Sequence, residues 1–180
     1  MRIHGNRQLK ILPGLATRPT PARVRAALFN IWQGEIEGCR WLDLCAGSGA
    51  MGAEALSRGA AFVLGIEQSV PACHVIQQNW RRIARPSQKF QVVQGEVVQQ
   101  LKKLSGQEFD RIYFDPPYGS NLYQPVIAAI SDYQLLVTHG EMAVEHNPKR
   151  PLTAQVSLLV SYRQKIYGDT ALTFYRIANH

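Results

Sequence analysis

From Gly38 to Glu145, strand-like and helix-like stretches alternate in unbroken succession, and no other feature of this chain restricts its fold so tightly. Residues 40–44 read as a strand and lead through a glycine-rich loop into a helix over 50–58, which Gly59 stops. Residues 61–66 form a continuous apolar run, the pattern of a strand buried on both faces. Ser69 is placed to cap a helix that reaches about Ala84 and is ended by Pro86. The pattern then predicts a strand over 90–94, a helical turn or two over 97–104, a strand over 111–115, a helix over 122–137 and a strand over 142–145. Past these, residues 156–162 and 171–177 are strand-like and meet through Tyr167-Gly168-Asp169, a connection suited to an antiparallel pair. The expected class is α/β: an open, mostly parallel sheet with helices on both faces and a C-terminal antiparallel hairpin.

The first segment is different. Gly5, Pro13, Gly14 and Pro19 break any long helix over residues 1–19, so a short hairpin or extended arm is expected there. Thr20-Pro21 has the form of an N-cap followed by proline at the first helical position. Val24, Leu28, Ile31 and Trp32 follow at helical spacing as a core-facing stripe. The formal net charge is +7, and Arg2, Arg7, Lys10, Arg18, Arg23 and Arg25 all precede the first acidic residue, Glu35. A basic stretch ahead of an α/β body reads as a surface that follows phosphates, with Arg2, Arg7 and Arg23 among its candidate contacts. The three cysteines Cys39, Cys45 and Cys73 show neither C-x-x-C nor Cys/His ligand spacing, which argues against a disulfide framework and a metal site. No apolar signal segment or membrane-length run is present. One domain over 1–180, with residues 1–20 as an appendage, is expected to work as a monomer in the cytoplasm without membrane or metal.

Gly47-Ser48-Gly49-Ala50-Met51-Gly52 satisfies G-x-G-x-x-G after a strand and before a helix. Such a turn lets a ligand approach bare backbone, and the helix behind it offers free N–H groups. Asp43, four residues before Gly47, tips the balance away from a dinucleotide ligand. A carboxylate repels the pyrophosphate of a dinucleotide but attracts the ammonium and sulfonium of S-adenosylmethionine. Glu67, twenty residues after Gly47, ends the next strand, where an acid accepts hydrogen bonds from ribose hydroxyls. Glu96 follows the third strand and reads either as an acceptor for the adenine amino group or as a helix cap. Asp43, Ala46, Gly47, Ser48, Gly49, Glu67 and Glu96 are therefore the candidate donor-site residues.

Asp115-Pro116-Pro117-Tyr118 follows the apolar run Ile112, Tyr113, Phe114. An exocyclic amine on an aromatic ring is a weak nucleophile because its lone pair is delocalised. Two acceptors on its N–H bonds, the Asp115 carboxylate and the Pro116 carbonyl, favour pyramidal nitrogen and expose that lone pair. The prolines fix the carbonyl direction in advance, and Tyr118 can stack on the base. Asp43, Glu67, Glu96 and Asp115 all stand at or just past strand ends, where open α/β sheets bind ligands, so one crevice should hold them all. His139 and His146 are read as loop residues, Trp41 and Trp80 as core, and Cys45 as packing. The four-residue motif does not separate guanine N2 from adenine N6 or a glutamine amide, since each presents a planar NH2. Nor do the residues alone exclude an inactive, RNA-binding assembly factor.

Taken together, Met1-Arg2-Ile3, Thr17-Arg18-Pro19-Thr20, Arg23-Val24-Arg25, Asp43-Leu44-Cys45-Ala46-Gly47-Ser48-Gly49, Glu54-Ala55-Leu56-Ser57-Arg58-Gly59-Ala60 and Asp115-Pro116-Pro117-Tyr118 resemble the RsmD-type family. Those are bacterial enzymes that methylate guanine N2 in 16S ribosomal RNA. The resemblance implies a Rossmann-like class I methyltransferase sheet, S-adenosylmethionine as donor, and an assembling small ribosomal subunit as partner. By motif, Asp43, Gly47 and Gly49 line the donor site, Glu67 takes the ribose, and Asp115 through Tyr118 hold the amine. Arg18 and Thr20 border the mouth of the site. Cys45 stands where phenylalanine is common in the family, and Glu96 where aspartate is usual.

Overall fold

The computed structural model describes residues 1–11 and 20–178. A small hairpin opens the chain: β1 (Arg2–Ile3) and β2 (Arg7–Gln8) pair antiparallel around a 3-10 turn at His4–Asn6. Then come α1 (Ala22–Ile31), β3 (Arg40–Leu44), α2 (Ala50–Ser57), β4 (Phe62–Glu67), α3 (Val70–Ile83) and β5 (Lys89–Gln94). The second half runs α4 (Val97–Lys103), β6 (Phe109–Phe114), α5 (Tyr123–Asp132), β7 (Leu136–His146), β8 (Gln155–Val156), β9 (Leu159–Tyr167) and β10 (Thr170–Ile177). Eight strands form one sheet in the order β5-β4-β3-β6-β7-β10-β9-β8. The first five in that order are parallel, and β10, β9 and β8 close the sheet antiparallel.

Alternation along the strands sorts side chains into two cores. Trp41, Val63, Tyr113, Ala143 and Leu172 point to one face, where Val24, Leu28 and Phe29 of α1, Met51 of α2 and Trp80 of α3 cover them. Leu42, Leu44, Ile112, Phe114 and Val144 point to the other, against Leu101 of α4 and Val126, Ile127 and Ile130 of α5. Trp41 and Trp80 are fully buried, as their apolar neighbours predict. The chain leaves β3 toward β4 on one side, while β6 lies on the other. That reversal opens a crevice at the carboxyl ends of β3 and β6.

The hairpin is not a loose arm. His4 donates its backbone N–H to Glu54 Oε2 at 3.1 Å, and Lys10 and Asn79 exchange two hydrogen bonds of 2.9 and 3.0 Å. Arg25, buried beneath it, reaches the Arg2 carbonyl at 2.8 Å and Glu54 at 3.4 Å.

Four expectations need correction. The helix predicted over 122–137 ends at Asp132, because Gln134 takes a left-handed φ of 53° and Leu136 and Val137 join β7. The strand predicted over 156–162 is two strands, folded back at Ser157, whose φ is 51°. Thr20 caps nothing: Pro21 occupies the N-cap of α1, and the Thr20 hydroxyl turns toward the sheet. His139 and His146 both belong to β7 rather than to loops, and His146 is buried with Nε2 2.8 Å from Thr173 Oγ1.

Candidate active site

At the carboxyl ends of β3, β4 and β6 lies a cavity of about 740 Å³. Its walls carry Asp43, Glu67, Glu96 and Asp115, the four acids that the strand ends were expected to bring together, and a fifth, Glu145. Among the described residues, no lysine, arginine or histidine lines it. Such a cavity favours a cationic or hydrogen-donating ligand and repels phosphate.

The loop after β3 is built by these acids. Asp43 is buried, and its Oδ2 accepts the Gly52 N–H at 2.9 Å, tying β3 to the first turn of α2. Burial pushes the Asp43 carboxyl up to about 8, against the opposing pull of that hydrogen bond. Glu67 accepts from Gly47 N–H through Oε2 at 2.8 Å and from Ser69 N–H through Oε1 at 2.9 Å. A carboxylate offers about four acceptor positions, so Glu67 keeps capacity for two ligand hydroxyls. Glu96 caps α4, accepting from Val98 N–H at 3.1 Å and Gln99 N–H at 3.0 Å, and still borders the cavity.

Ala46, Gly47 and Ser48 line the cavity, whereas Gly49 does not. Gly49 has φ 71°, and its carbonyl accepts the Trp80 indole N–H at 2.8 Å. A Cβ there would stand 2.9 Å from Ile76, so this glycine serves the packing of α2 on α3. Cys45 also turns left-handed, with φ 60°. Burial, with Glu67, Asp115, Asp43 and Glu96 around it, pushes its thiol up to about 12, which disfavours the thiolate.

Asp115 lies just past β6, and Pro116, Pro117 and Tyr118 continue the wall. Tyr118 is 46% exposed at the rim, its hydroxyl 3.3 Å from Thr170 Oγ1. Thr20 Oγ1 donates to Asp115 Oδ2 at 3.4 Å and lies 3.0 Å from the Tyr113 hydroxyl. Tyr113 in turn donates to Glu145 Oε2 at 2.5 Å. Desolvation first, then the charge of Glu145, raises the Asp115 carboxyl well above the usual range, although the residue as a whole keeps some exposure.

Of the candidate substrate contacts, Thr20 reaches the cavity and Arg18 lies outside the described residues. Arg2, Arg7 and Arg23 are exposed but do not line the cavity; they bond Asn6 Oδ1 at 2.8 Å, the Ile83 carbonyl at 2.9 Å and the Tyr167 carbonyl at 3.0 Å. Tyr113 and Glu145 escaped the sequence reading. Glu145 carried the same signal as Asp43 and Glu67, an acid closing an apolar strand.

The family model described as Conserved hypothetical protein 95 matches residues 1–176. The protein named Putative rRNA methyltransferase YlbH, of Bacillus subtilis, is 32% identical over 172 residues, covering 94% of this chain and 93% of its own length. Ribosomal RNA small subunit methyltransferase D of Haemophilus influenzae is 31% identical over 147 residues, with 81% and 76% covered. A solved structure described as putative methyltransferase yhhF from Escherichia coli superposes with a TM-score of 0.84 at 30% identity, over 100% of this chain and 99% of that one. With the sheet order, the glycine loop and the Asp115–Tyr118 turn already in place, these matches show that the chain belongs to the RsmD-type family of methyltransferases.

Proposed function

We propose that this protein transfers a methyl group from S-adenosylmethionine to the exocyclic N2 of a guanine in 16S ribosomal RNA. One observation carries the reading: the donor-loop acids and Asp115-Pro116-Pro117-Tyr118 face one cavity that no basic side chain lines among the described residues. Relatives named for methylation of ribosomal RNA, one of them for the small subunit, favour RNA over DNA or protein as acceptor. An assembling small subunit in the cytoplasm is the substrate that follows.

The residues present suit the donor. Asp43 places a carboxyl beside the loop that ionises as a cationic donor binds, and Glu67 keeps acceptor capacity for a ribose. Ile66 and Val97 give apolar wall for a purine, with Glu96 at its edge. When bound, S-adenosylmethionine supplies a methyl carbon on a positively charged sulfur. Asp115 and the Pro116 carbonyl accept the two amine hydrogens, turning the nitrogen lone pair toward the donor side of the cavity. Tyr118, at the rim, stacks on the base and holds its plane. The rate gain comes from this alignment and from acceptors fixed before substrate arrives. A base paired in its helix must first be extruded, at a cost of a few kcal/mol.

The test is transfer of label from S-adenosylmethionine to unmodified 16S RNA or small subunits. Wild type should label the RNA, and Asp115→Ala, with an unchanged circular dichroism spectrum, should lose at least about 100-fold in rate, in keeping with the loss of one preorganised polar group. Undiminished transfer by that variant would reject the assigned roles.

A further inference from the structure

Asp115 and Glu145 are joined by a continuous path of hydroxyls. Thr20 Oγ1 lies 3.4 Å from Asp115 Oδ2 and 3.0 Å from the Tyr113 oxygen, which lies 2.5 Å from Glu145 Oε2. Strand register makes this juxtaposition. Phe114 pairs with Val144, so Asp115 and Glu145 come level one residue later, on the face that Tyr113 and Ala143 already share. Thr20 approaches from the start of α1 and closes the path over the top.

Proton counting constrains the path. Three contacts need three hydrogens, and the two hydroxyls bring only two. A third proton on either carboxyl fills every contact: from Asp115 the bonds run toward Glu145, and from Glu145 they run back. Passing between these arrangements carries one proton from end to end while each hydroxyl gives one and receives one. Burial and the repulsion between the two acids favour holding that proton in the free protein.

We propose that Asp115 and Glu145 share one exchangeable proton through the hydroxyls of Thr20 and Tyr113, and that this chain accepts the proton the amine loses on methylation. The inference rests on the function proposed above. A cationic donor entering the cavity displaces the shared proton to solvent, leaving both carboxylates ionised. As the N–C bond forms, the bond from the methyl carbon to the donor sulfur breaks and leaves its electron pair on sulfur, the amine N–H bond breaks, and an O–H bond forms on Asp115. Shifts along Thr20 and Tyr113 then deliver one proton to Glu145. The cavity loses the sulfonium charge in the same step in which it gains the proton, so its net charge is conserved. Glu145 is thus a positioning residue, acting through Asp115.

Other groups face the pair. Asp43 from β3, Cys45 from the loop and Tyr123 from α5 all interact with one or both acids, and Tyr118 beyond the prolines acts on Tyr123. They remain in place in Glu145→Gln, so a change in that variant reports on Glu145.

The test follows the carboxyl carbon resonances of Asp115 and Glu145 with pH in the protein without substrate. In wild type, Asp115 should titrate above its ordinary range. In Glu145→Gln its midpoint should fall by at least one unit, a tenfold change in proton affinity. Tyr113→Phe removes the donor that favours ionised Glu145, so Glu145 should keep the proton and Asp115 should again titrate lower. An Asp115 midpoint that is the same in wild type and Glu145→Gln would overturn the proposal. So would single-turnover transfer by Tyr113→Phe as fast as wild type. The titration reads the shared proton even if no RNA is methylated, in which case the proposed function fails and the pairing of the acids is still decided.

Discussion

Asp43 and Gly52 are nine residues apart and joined by a hydrogen bond of 2.9 Å from the Gly52 N–H to the Asp43 carboxyl, which fixes the glycine loop between strand and helix. The same carboxyl is held up to about 8 by burial. The folded protein therefore keeps a proton there that the unfolded chain releases near pH 4. The stabilisation from that proton is complete below about pH 4 and disappears as the pH rises through about 8. Asp43→Asn mimics the protonated acid at every pH. Thermal melts should show its deficit against wild type shrinking between pH 5 and pH 8.5, and a constant deficit would remove Asp43 as the titrating group. Binding of S-adenosylmethionine should run the other way, tightening in wild type toward pH 8 with release of a proton, and weakening in Asp43→Asn.

Gly52→Ala probes how closely α2 and α3 approach. In an open helix the change stabilises by about 1 kcal/mol. Here a Cβ on Gly52 would stand 2.2 Å from Cζ2 of the buried Trp80, a rigid ring that cannot swing aside. The expected sign is therefore reversed, with a loss of ~1–3 kcal/mol in denaturant unfolding. Trp80→Phe, added to Gly52→Ala, should recover part of that loss.

Glu54 holds the N-terminal hairpin to the body. It meets Arg25 at 3.4 Å and Arg58 at 2.9 Å, and accepts the His4 N–H at 3.1 Å. Arg25 is buried with it, so Glu54→Ala leaves an uncompensated cation. Equilibrium unfolding should show a cost of ~3–5 kcal/mol, with protease cutting early within residues 1–11. Wild-type stability in that variant would mean the hairpin docks by other contacts.

Tyr118 separates base contact from donor contact. Its ring stands at the rim, and Tyr118→Ala should weaken RNA engagement by ~1–3 kcal/mol, roughly one to two powers of ten in KM. Affinity for S-adenosylmethionine, read by calorimetry, should stay within a factor of two or so, since stacking acts on the base alone. Equal losses in both would place Tyr118 in the donor pocket instead.

The parts of the site that were legible in the sequence are those made by local pattern. An apolar run ending in an acid marks a strand end, and this signal located Asp43, Glu67 and Asp115 at the cavity. The glycines marked the turn, although Gly49 turned out to accommodate Trp80 rather than to line the cavity. What escaped depends on register between distant segments. Thr20 reads locally as a cap, but a partner 93 residues away, the Tyr113 hydroxyl, takes its side chain. Glu145 acquires its role from standing level with Asp115, which no single strand reveals. The boundary between α5 and β7 was missed because a short apolar run fits either period, and the left-handed turn at Gln134 decides it.

Nucleoside analysis of the reaction product tests the central claim most directly. Small subunits lacking the modification, incubated with this protein and methyl-labelled S-adenosylmethionine, are digested to nucleosides and resolved by mass spectrometry. The label should appear as N2-methylguanosine from 16S RNA. Label in N6-methyladenosine or in subunit protein, with none in guanosine, would contradict the assignment.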